Sequence, residues 1–223
     1  ARLEAARALP AAFLRSVFES EEAREWPRVR LGDACDIVSG GTPSRARPEF
    51  WGGSTPWIAP QHLKSFEIAD SDQHVTAEAV SAGRAQVLPP GVVLVVVRGM
   101  ILIRDVPVAL TTRGVAINQD LKALVPRSPS LTGEYLARYL TSSKDRLLAL
   151  VSTAGHGTQK LDTPALMGVE VPQPSPDVQR TVVQRLAHCI AEADKICQVA
   201  NAELVALDPL PQCLLRQAFA GEI

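Results

Sequence analysis

The chain has 223 residues, of which 46% are hydrophobic and 21% charged, with 23 Lys and Arg against 24 Asp and Glu. This length and near-neutral composition indicate one large folded domain or two modest ones, and they exclude an intrinsically disordered chain. No apolar run reaches the roughly 18 residues that a membrane span needs, and the first residues lack a signal peptide's apolar stretch, so we expect a cytoplasmic protein.

Three zones differ in pattern along the chain. The first, residues 1–25, is predicted to be a helical tail segment, because residues 1–20 are rich in Ala, Leu, Arg and Glu and contain no glycine. The second, residues 26–172, combines short β-type runs with long loops at 40–53 and 154–160 that Gly and Pro punctuate. This pattern predicts a mixed α/β (α+β) globular domain.

The apolar patterns of the second zone predict its elements. The runs at 92–98 and 168–171 are apolar enough for buried strands, and those at 29–37 and 121–125 fit half-buried strands. A helix is predicted over residues 133–151, because apolar side chains recur there at helical spacing. These side chains are Tyr135, Leu136, Tyr139, Leu140 and Leu147.

The third zone, residues 173–223, is predicted to be a long helix. The proline-rich connector at 171–176 cannot be helical, whereas Ser175 suits an N-cap and Pro176 the first helical position. No proline interrupts the helix until Pro209, and its apolar residues recur in steps of 3 and 4. This is the a/d seam of a helix that packs along a second long helix. The seam consists of Val183, Leu186, Ile190, Ala193, Cys197, Ala200, Leu204 and Leu207.

The helical tail occurs twice in the chain. Residues 9–18 (LPAAFLRSVF) match residues 210–219 (LPQCLLRQAF) at an offset of 201, and the match keeps the heptad phase. We therefore interpret the first tail as a repeat of residues 202–221. A repeat of this period predicts a larger parent architecture in which globule and helix alternate, with one period in this chain.

A set of motifs accompanies this duplicated tail. They are LGD (31–33), SGGTPS (39–44), FWGGSTPWI (50–58), AINQ (116–119), GHGTQK (155–160), VPQPSPDVQ (171–179) and LRQAFAGE (215–222). No single motif is specific, but their order, their spacing and the duplicated tail make a strong match. Over nearly its whole length the sequence resembles the DNA-specificity subunits of type I restriction–modification systems.

The resemblance implies a fold and a role. Such subunits have two tandem halves, each a target-recognition domain followed by a conserved helix, and the two helices pair as an antiparallel coiled coil. Each domain reads one half of a bipartite DNA site. The subunit itself is not an enzyme: S-adenosylmethionine, ATP and Mg²⁺ belong to the methylation and restriction subunits, and this chain binds no cofactor. The chain departs from the pattern because it has only one recognition domain, so it is either a half-length subunit that dimerises or the second half of a longer chain.

Candidates for DNA contact lie in polar loops of the middle zone, where residues 26–165 carry 15 basic and 12 acidic side chains. Hydroxyl, amide, guanidinium and ammonium groups suit phosphate oxygens and base edges, and arginine grips guanine with two hydrogen bonds. Turns share the composition of these loops, and any one arginine is also consistent with an ordinary surface charge. The candidates are Thr42, Ser44, Arg45, Arg47, Gln61, Lys64, Arg98, Arg104, Arg113, Gln119, His156, Thr158 and Lys160.

Three side chains, one of them the candidate Gln119, have competing interpretations. The amides of Asn118 and Gln119 have the right groups to read adenine, but a structural hydrogen-bonding role is at least as probable beside the apolar run at 115–117. Trp57 follows Pro56 in a predicted strand and is expected in the core rather than stacked on a base.

Enzyme classes find little support in the sequence. The four cysteines have no C-x-x-C spacing, so we expect no metal site, and the P-loop, the G-x-S-x-G elbow and the adenine-methyltransferase motif are absent. One nuclease-like trace remains, in which Asp105, Asp120 and Lys122 would hold Mg²⁺. A second alternative is a pure assembly adaptor that uses only the long helix.

The seam also predicts an oligomer. An apolar stripe of this length is too long for a monomer surface, and residues 1–20 supply at most half of the cover that it needs. We therefore expect a second long helix, either from a homodimer or from a second recognition half. In a symmetric dimer, identical domains would read an inverted-repeat target.

Overall fold

The computed structural model describes residues 2–154 and 157–207. The described residues form two compact units, one within 1–19 and 184–223 and the other within 20–183. The domain boundaries at residues 25 and 172 stay a prediction. In the described part of the chain, no helix is long and apolar enough to cross a membrane.

The fold contains both helices and strands, as predicted. The helices are α1 (Arg2–Phe18), α2 (Glu21–Glu25), α3 (Leu31–Ala34), α4 (Ala77–Ser81), α5 (Gly133–Ser142), α6 (Lys144–Leu148), α7 (Thr163–Met167) and α8 (Pro176–Leu207). The strands are β1 (Arg28–Arg30), β2 (Cys35–Ser39), β3 (Trp51–Ile58), β4 (Glu67–Ile68), β5 (His74–Val75), β6 (Val93–Val96), β7 (Val108–Thr111), β8 (Ala116–Ile117), β9 (Leu121–Pro126), β10 (Val151–Thr153), β11 (Gln159–Leu161) and β12 (Glu170–Pro172). Short 3-10 helices cover Pro48–Phe50, Pro60–His62 and Met100–Ile103.

A five-stranded sheet with the order β2-β9-β6-β7-β4 forms the centre of the unit within 20–183. All residues of β6 and β7 are buried, because both are central strands built from Val, Leu, Ala and Thr. Neighbouring strands are antiparallel except for β4, which runs parallel to β7. A second sheet has the order β5-β3-β8, with β3 and β8 parallel.

The amphipathic helix α5 covers β6 and β7. Its side chains Tyr135, Leu136 and Leu140 are fully buried, as the helical spacing predicted. At its first residue, a Cβ on Gly133 would lie 2.0 Å from the carbonyl oxygen of Gly91, so only glycine allows this close approach.

Two predicted elements are interrupted in the structure. The single strand expected at 29–37 is wrong, because β1 pairs with β12 and β2 pairs with β9, and α3 turns the chain between the two sheets. The helix expected at 133–151 breaks at Ser143, whose ψ of 20° departs from helical geometry. The strand expected at 168–171 is limited to β12, and the loop expected at 40–53 ends earlier, where β3 begins.

Helix α8 begins as predicted. The hydroxyl of Ser175 accepts a hydrogen bond of 3.4 Å from the backbone nitrogen of Val178, and Pro176 is the first helical residue. The side chain of Gln179 is fully buried and accepts from the Thr132 nitrogen at 3.0 Å. It also donates to the carbonyl oxygens of Ser130 at 2.7 Å and Pro174 at 2.9 Å. This network fixes the first turn of α8 to the globule.

Part of the predicted seam is already buried in the structure. Leu186, Ala193 and Ala200 are 1%, 3% and 6% exposed, which agrees with the expectation that the chain itself covers only part of the seam. The seam residues Val183, Ile190 and Cys197 are half-buried. Helix α8 extends to Leu207, but the side chains of Leu204 and Leu207 and most of the repeat at 202–221 lie outside the described residues.

Candidate nucleic-acid interface

Several loops meet at one end of the five-stranded sheet, which we call the loop end. Strands β2 and β6 finish there and β9 begins there, since Ser39 pairs with Lys122 and Val96 pairs with Leu121. The start of β7 lies at the same end, because β7 runs antiparallel to β6. The loop end therefore gathers chain segments that are far apart in sequence.

Backbone hydrogen bonds join these segments directly. The Gly41 nitrogen donates to the Ile117 carbonyl oxygen at 2.9 Å, and the Val97 nitrogen donates to the Asp120 carbonyl oxygen at 2.8 Å. A Cβ on Gly40 would lie 2.2 Å from the carbonyl oxygens of Ile117 and Asn118. Gly40, the first glycine of the SGGTPS motif, therefore has to be glycine for the two loops to pack closely.

The two candidate amides at this end have different roles. Asn118 is 5% exposed, and its amide bonds to the Asp120 nitrogen at 3.0 Å and to the Asp120 carboxylate at 3.2 Å. Its side chain therefore stabilises the turn into β9. Gln119 is exposed, and its side-chain oxygen accepts a hydrogen bond of 2.6 Å from the hydroxyl of Thr42. The structure thus brings Thr42 and Gln119 together.

A hairpin of β10 and β11 adds two more candidates to the loop end. The Leu161 nitrogen donates to the Val97 oxygen at 2.9 Å, and Arg98 forms an antiparallel β-bridge with Lys160. Thr158 lies in the same hairpin, where its carbonyl oxygen accepts from the Ala154 nitrogen at 2.8 Å. The predicted candidate His156 lies outside the described residues.

Some charged side chains at the loop end have an ion-pair partner, and others do not. Lys160 makes an ion pair with Asp162, and its hydrogen bond holds the pKa of that carboxyl below the usual range. Arg104 follows the 3-10 helix that begins two residues after Arg98. Both arginines are exposed, and neither side chain makes a hydrogen bond or ion pair with a described residue. Arg98 and Arg104 are thus available to bind an anion.

The candidates in the loop at 42–47 are partly engaged within the chain. The Arg45 guanidinium lies 3.6 Å from the Trp51 ring centroid and donates to the Gln73 side chain. The Arg47 side chain donates to Glu49, and this hydrogen bond holds the pKa of the Glu49 carboxyl below its usual range. These two arginines stabilise the loop itself.

Two tryptophans also hold this loop. The indole nitrogen of Trp57 donates to the Gly41 carbonyl oxygen at 3.0 Å, and that of Trp51 donates to the Ser44 carbonyl oxygen at 3.2 Å. Trp57 is 5% exposed, which confirms the expectation that it lies in the core. These two hydrogen bonds therefore hold the backbone on either side of Thr42.

The family assignment follows from a comparison of the whole sequence. A family model described as the type I restriction modification DNA specificity domain matches residues 23–204. The chain belongs to this family. The chain is 31% identical to the EcoR124I/EcoR124II specificity subunit of Escherichia coli over 163 residues, which are 73% of the chain's length. Over 169 residues it is 29% identical to the MjaIX specificity subunit of Methanocaldococcus jannaschii.

These relatives are longer than the chain. The matches cover 40% and 38% of the two curated subunits, so the chain spans well under half of their length. Its fold is similar to the HsdS subunit of Thermoanaerobacter tengcongensis, with a TM-score of 0.68, 23% identity and coverage of 99% of this chain and 52% of that one. A chain solved in work on complex assembly and conformational transition of the type I system gives a TM-score of 0.74 at 22% identity and covers 100% of this chain and 54% of that one. Both likenesses support a mixed α/β domain followed by a long helix.

One candidate of the specificity domain lies apart from the group at the loop end. Arg113 follows β7, whose last residues lie at the opposite end of the sheet, and it donates to the Ser54 carbonyl oxygen at 3.4 Å. Gln61 and Lys64 follow the end of β3, where the Ile58 carbonyl oxygen accepts a hydrogen bond of 2.9 Å from the Asn118 nitrogen, so β3 ends beside the turn that carries Gln119. In the described part of the chain, no hydrogen bond joins either side chain to another candidate.

The residues of the nuclease alternative have separate partners in the specificity domain. Asp105 pairs with Lys144 at 3.0 Å, Lys122 donates to the Ser39 hydroxyl, and Asp120 is engaged by Asn118. Among residues 2–154 and 157–207, no group of three or more His, Cys, Asp or Glu side chains is placed to hold a metal ion. This arrangement gives the nuclease alternative no support.

Sequence reasoning missed two exposed apolar residues at the loop end. Met100 and Ile103 are each 62% exposed and lie between Arg98 and Arg104. The sequence feature that could have revealed them is Gly99, which separates a second apolar run (MILI) from the buried strand β6.

Proposed function

We propose that the chain recognises double-stranded DNA as part of a type I restriction–modification specificity subunit, and that it reads one half of a bipartite target. The observation that carries this proposal is the convergence of Thr42, Gln119, Arg98 and Lys160 at one end of the sheet. These side chains offer a hydroxyl, an amide and two cations, which are the groups that contact phosphates and base edges. The chain's relatives are named specificity subunits, which supports the same function.

The proposal assigns no catalysis to this chain. Methyl transfer and cleavage, with their S-adenosylmethionine, ATP and Mg²⁺, belong to the methylation and restriction subunits with which the chain assembles. The long helix α8 pairs with the helix of a second recognition half, which is either a second copy of the chain or part of a longer natural protein. Its half-buried seam residues Val183, Ile190 and Cys197 support this pairing.

Selection from a random duplex library tests the DNA proposal. We expect the protein to enrich a short sequence and to bind it more weakly as salt rises, because phosphate contacts release counterions. Arg98→Ala should weaken binding. The control Lys195→Ala removes an equal charge from an exposed position on α8 and should not weaken binding. If no sequence is enriched at low salt, even with methylation subunits present, the proposal is wrong.

A further inference from the structure

The apolar residues at the loop end form one small patch. Residues Met100–Ile103 form a 3-10 helix, in which side chains three positions apart lie on the same side. Met100 and Ile103 have this spacing, and each is 62% exposed. Leu102, on another side of the helix, is 1% exposed and anchors the segment in the core. We call Met100 and Ile103 the apolar patch.

The backbone holds the patch in a defined position. Gly99 has a φ of +133°, which L side chains rarely adopt, and its nitrogen donates to the Gln159 carbonyl oxygen of the hairpin at 3.1 Å. At the other end, the Asp105 nitrogen donates to the Ile101 oxygen at 3.0 Å, and the Asp105 carboxylate pairs with Lys144. The patch is therefore presented to solvent by a segment that is fixed on both sides.

The surroundings of the patch are cationic. Arg98 precedes it, Arg104 follows it, and Lys160 lies across the β-bridge from Arg98. The neighbouring carboxylates of Asp105 and Asp162 are each paired with a lysine. Because the two arginine side chains have no partner among the described residues, the surface around the patch complements a polyanion with an apolar interior. Duplex DNA has this structure, with phosphates outside and stacked bases inside.

We propose that the apolar patch is a wedge that enters a groove of duplex DNA and packs against a base step, while Arg98 and Arg104 bind phosphates on either side of it. This inference rests on the proposed function. Apolar side chains that unstack a base step typically come from Met, Ile, Leu, Phe or Pro, and their contact compensates for the lost stacking. The wedge separates the roles at the loop end: the patch deforms the duplex, and the polar side chains of Thr42 and Gln119 read base edges.

The experiment uses duplexes that the wild-type protein first selects from a random library. The base analogue 2-aminopurine, whose fluorescence rises on unstacking, is then placed at successive positions of a selected duplex. We expect one position to brighten with the wild-type protein. The double variant Met100→Ala/Ile103→Ala should lose this signal and bind roughly tenfold or more weakly, because two apolar contacts are removed. The isosteric control Ile103→Leu should retain both properties.

A matched control removes an exposed apolar side chain elsewhere. Val87 is 43% exposed and lies ahead of the start of β6, whereas the patch follows the end of that strand. Val87→Ala should leave affinity and fluorescence unchanged, and thermal melting of all variants checks that they fold.

The outcomes distinguish this inference from the proposed function. Failure to enrich any duplex overturns both. Enrichment without a fluorescence rise at any position overturns the wedge alone, as does a double variant with wild-type affinity and signal. A double variant that binds DNA normally but no longer binds methylation subunits also overturns it, because the patch is then a protein interface.

Discussion

The hydroxyl of Thr42 donates a 2.6 Å hydrogen bond to the side-chain oxygen of Gln119, across 77 positions of sequence. The amide oxygen of Gln119 therefore faces Thr42. The amide nitrogen of Gln119 is left to donate. Close packing of Gly40 against the Ile117 and Asn118 backbone holds the two loops together.

The first prediction concerns base preference. Reading adenine with two hydrogen bonds needs both the oxygen and the nitrogen of an amide at the base, and the Thr42 hydroxyl takes one of the two lone pairs of the Gln119 oxygen and turns that oxygen towards residue 42. We therefore expect Gln119 to donate to a base acceptor, such as guanine O6 or N7 or thymine O4. Gln119→Glu removes the donor and should cost about 1–3 kcal/mol of binding at that base pair. Measurement of affinity for every single-base change in a selected duplex checks this.

The variant Thr42→Val tests whether the Thr42 hydroxyl sets the base preference of Gln119. This variant keeps the shape of residue 42 but frees the amide oxygen of Gln119, so adenine should become acceptable at the same base pair. An unchanged base preference in both variants would show that Gln119 does not touch a base.

The second prediction separates the two ends of the sheet. Arg98 lies at the loop end beside Lys160, whereas Arg113 leaves the opposite end of β7. The wedge assigns the guanidinium of Arg98 to phosphate, so Arg98→Ala should weaken DNA binding about equally for all sequences. A loss of about 1–3 kcal/mol confined to one base pair would instead assign Arg98 to a base edge. Arg113→Ala should leave binding within about 0.5 kcal/mol of wild type. Equal losses for both variants would contradict the placement of the interface.

The third prediction uses the buried thiol of Cys35. Burial in the core raises the pKa of this thiol to about 11, from a usual value of 9.0. A thiol with a raised pKa keeps its proton in the folded state, so unfolding releases protons between these pH values and the free energy of unfolding falls as pH rises from 9 towards 11. At pH 8 the thiol of Cys35 should resist iodoacetamide until the protein unfolds, because the thiolate is the nucleophile. Mass spectrometry of the labelled native protein should find Cys35 unmodified, with the half-buried Cys189, which lies outside the seam, labelled before it.

The fourth prediction concerns the start of α8. Gln179 is fully buried and bonds to the Thr132 nitrogen and to the carbonyl oxygens of Ser130 and Pro174. Gln179→Leu fills the same space but leaves these backbone groups without a partner, so it should lower the free energy of unfolding by about 2–3 kcal/mol. Denaturant unfolding measures this change. The control Gln184→Leu alters an exposed residue of the same helix and should change stability by less than about 0.5 kcal/mol.

Sequence pattern predicted single elements better than it predicted their pairing. The buried runs that became β6 and β9 and the N-cap Ser175 of α8 could be read from local composition. The break between β1 and β2 could not, because it follows from the two strands joining different sheets.

The candidate site shows the same limit. Polar loops indicated a group of candidates, but the register that places Gln119 beside Thr42 and Arg98 beside Lys160 depends on strand pairing over long separations. Intramolecular partners were equally hidden. Arg45 had the chemistry of a base reader, yet Trp51 and Gln73 engage its guanidinium.

The last prediction concerns the seam of α8. Leu186, Ala193 and Ala200 recur every seventh residue and are buried within the chain, whereas the seam residues Ile190 and Cys197 are half-buried. Leu186→Ala should therefore lower the free energy of unfolding by about 2–4 kcal/mol, because it leaves a cavity. Ile190→Glu should instead leave most helix intact by circular dichroism but prevent pairing with a second long helix, since pairing would bury an unpaired charge.

Light scattering at micromolar concentration measures the assembly that Ile190→Glu is expected to disrupt. The wild-type protein should be a dimer there, or should pair with a second recognition half when one is supplied. Glu192→Ala changes a neighbouring side chain outside the seam and should leave the assembly unchanged. A wild-type chain that stays monomeric in both experiments, with α8 folded, would contradict the paired-helix spacer. That result would not contradict DNA binding by the globule, because the core around β6 and β7 lies within the unit 20–183.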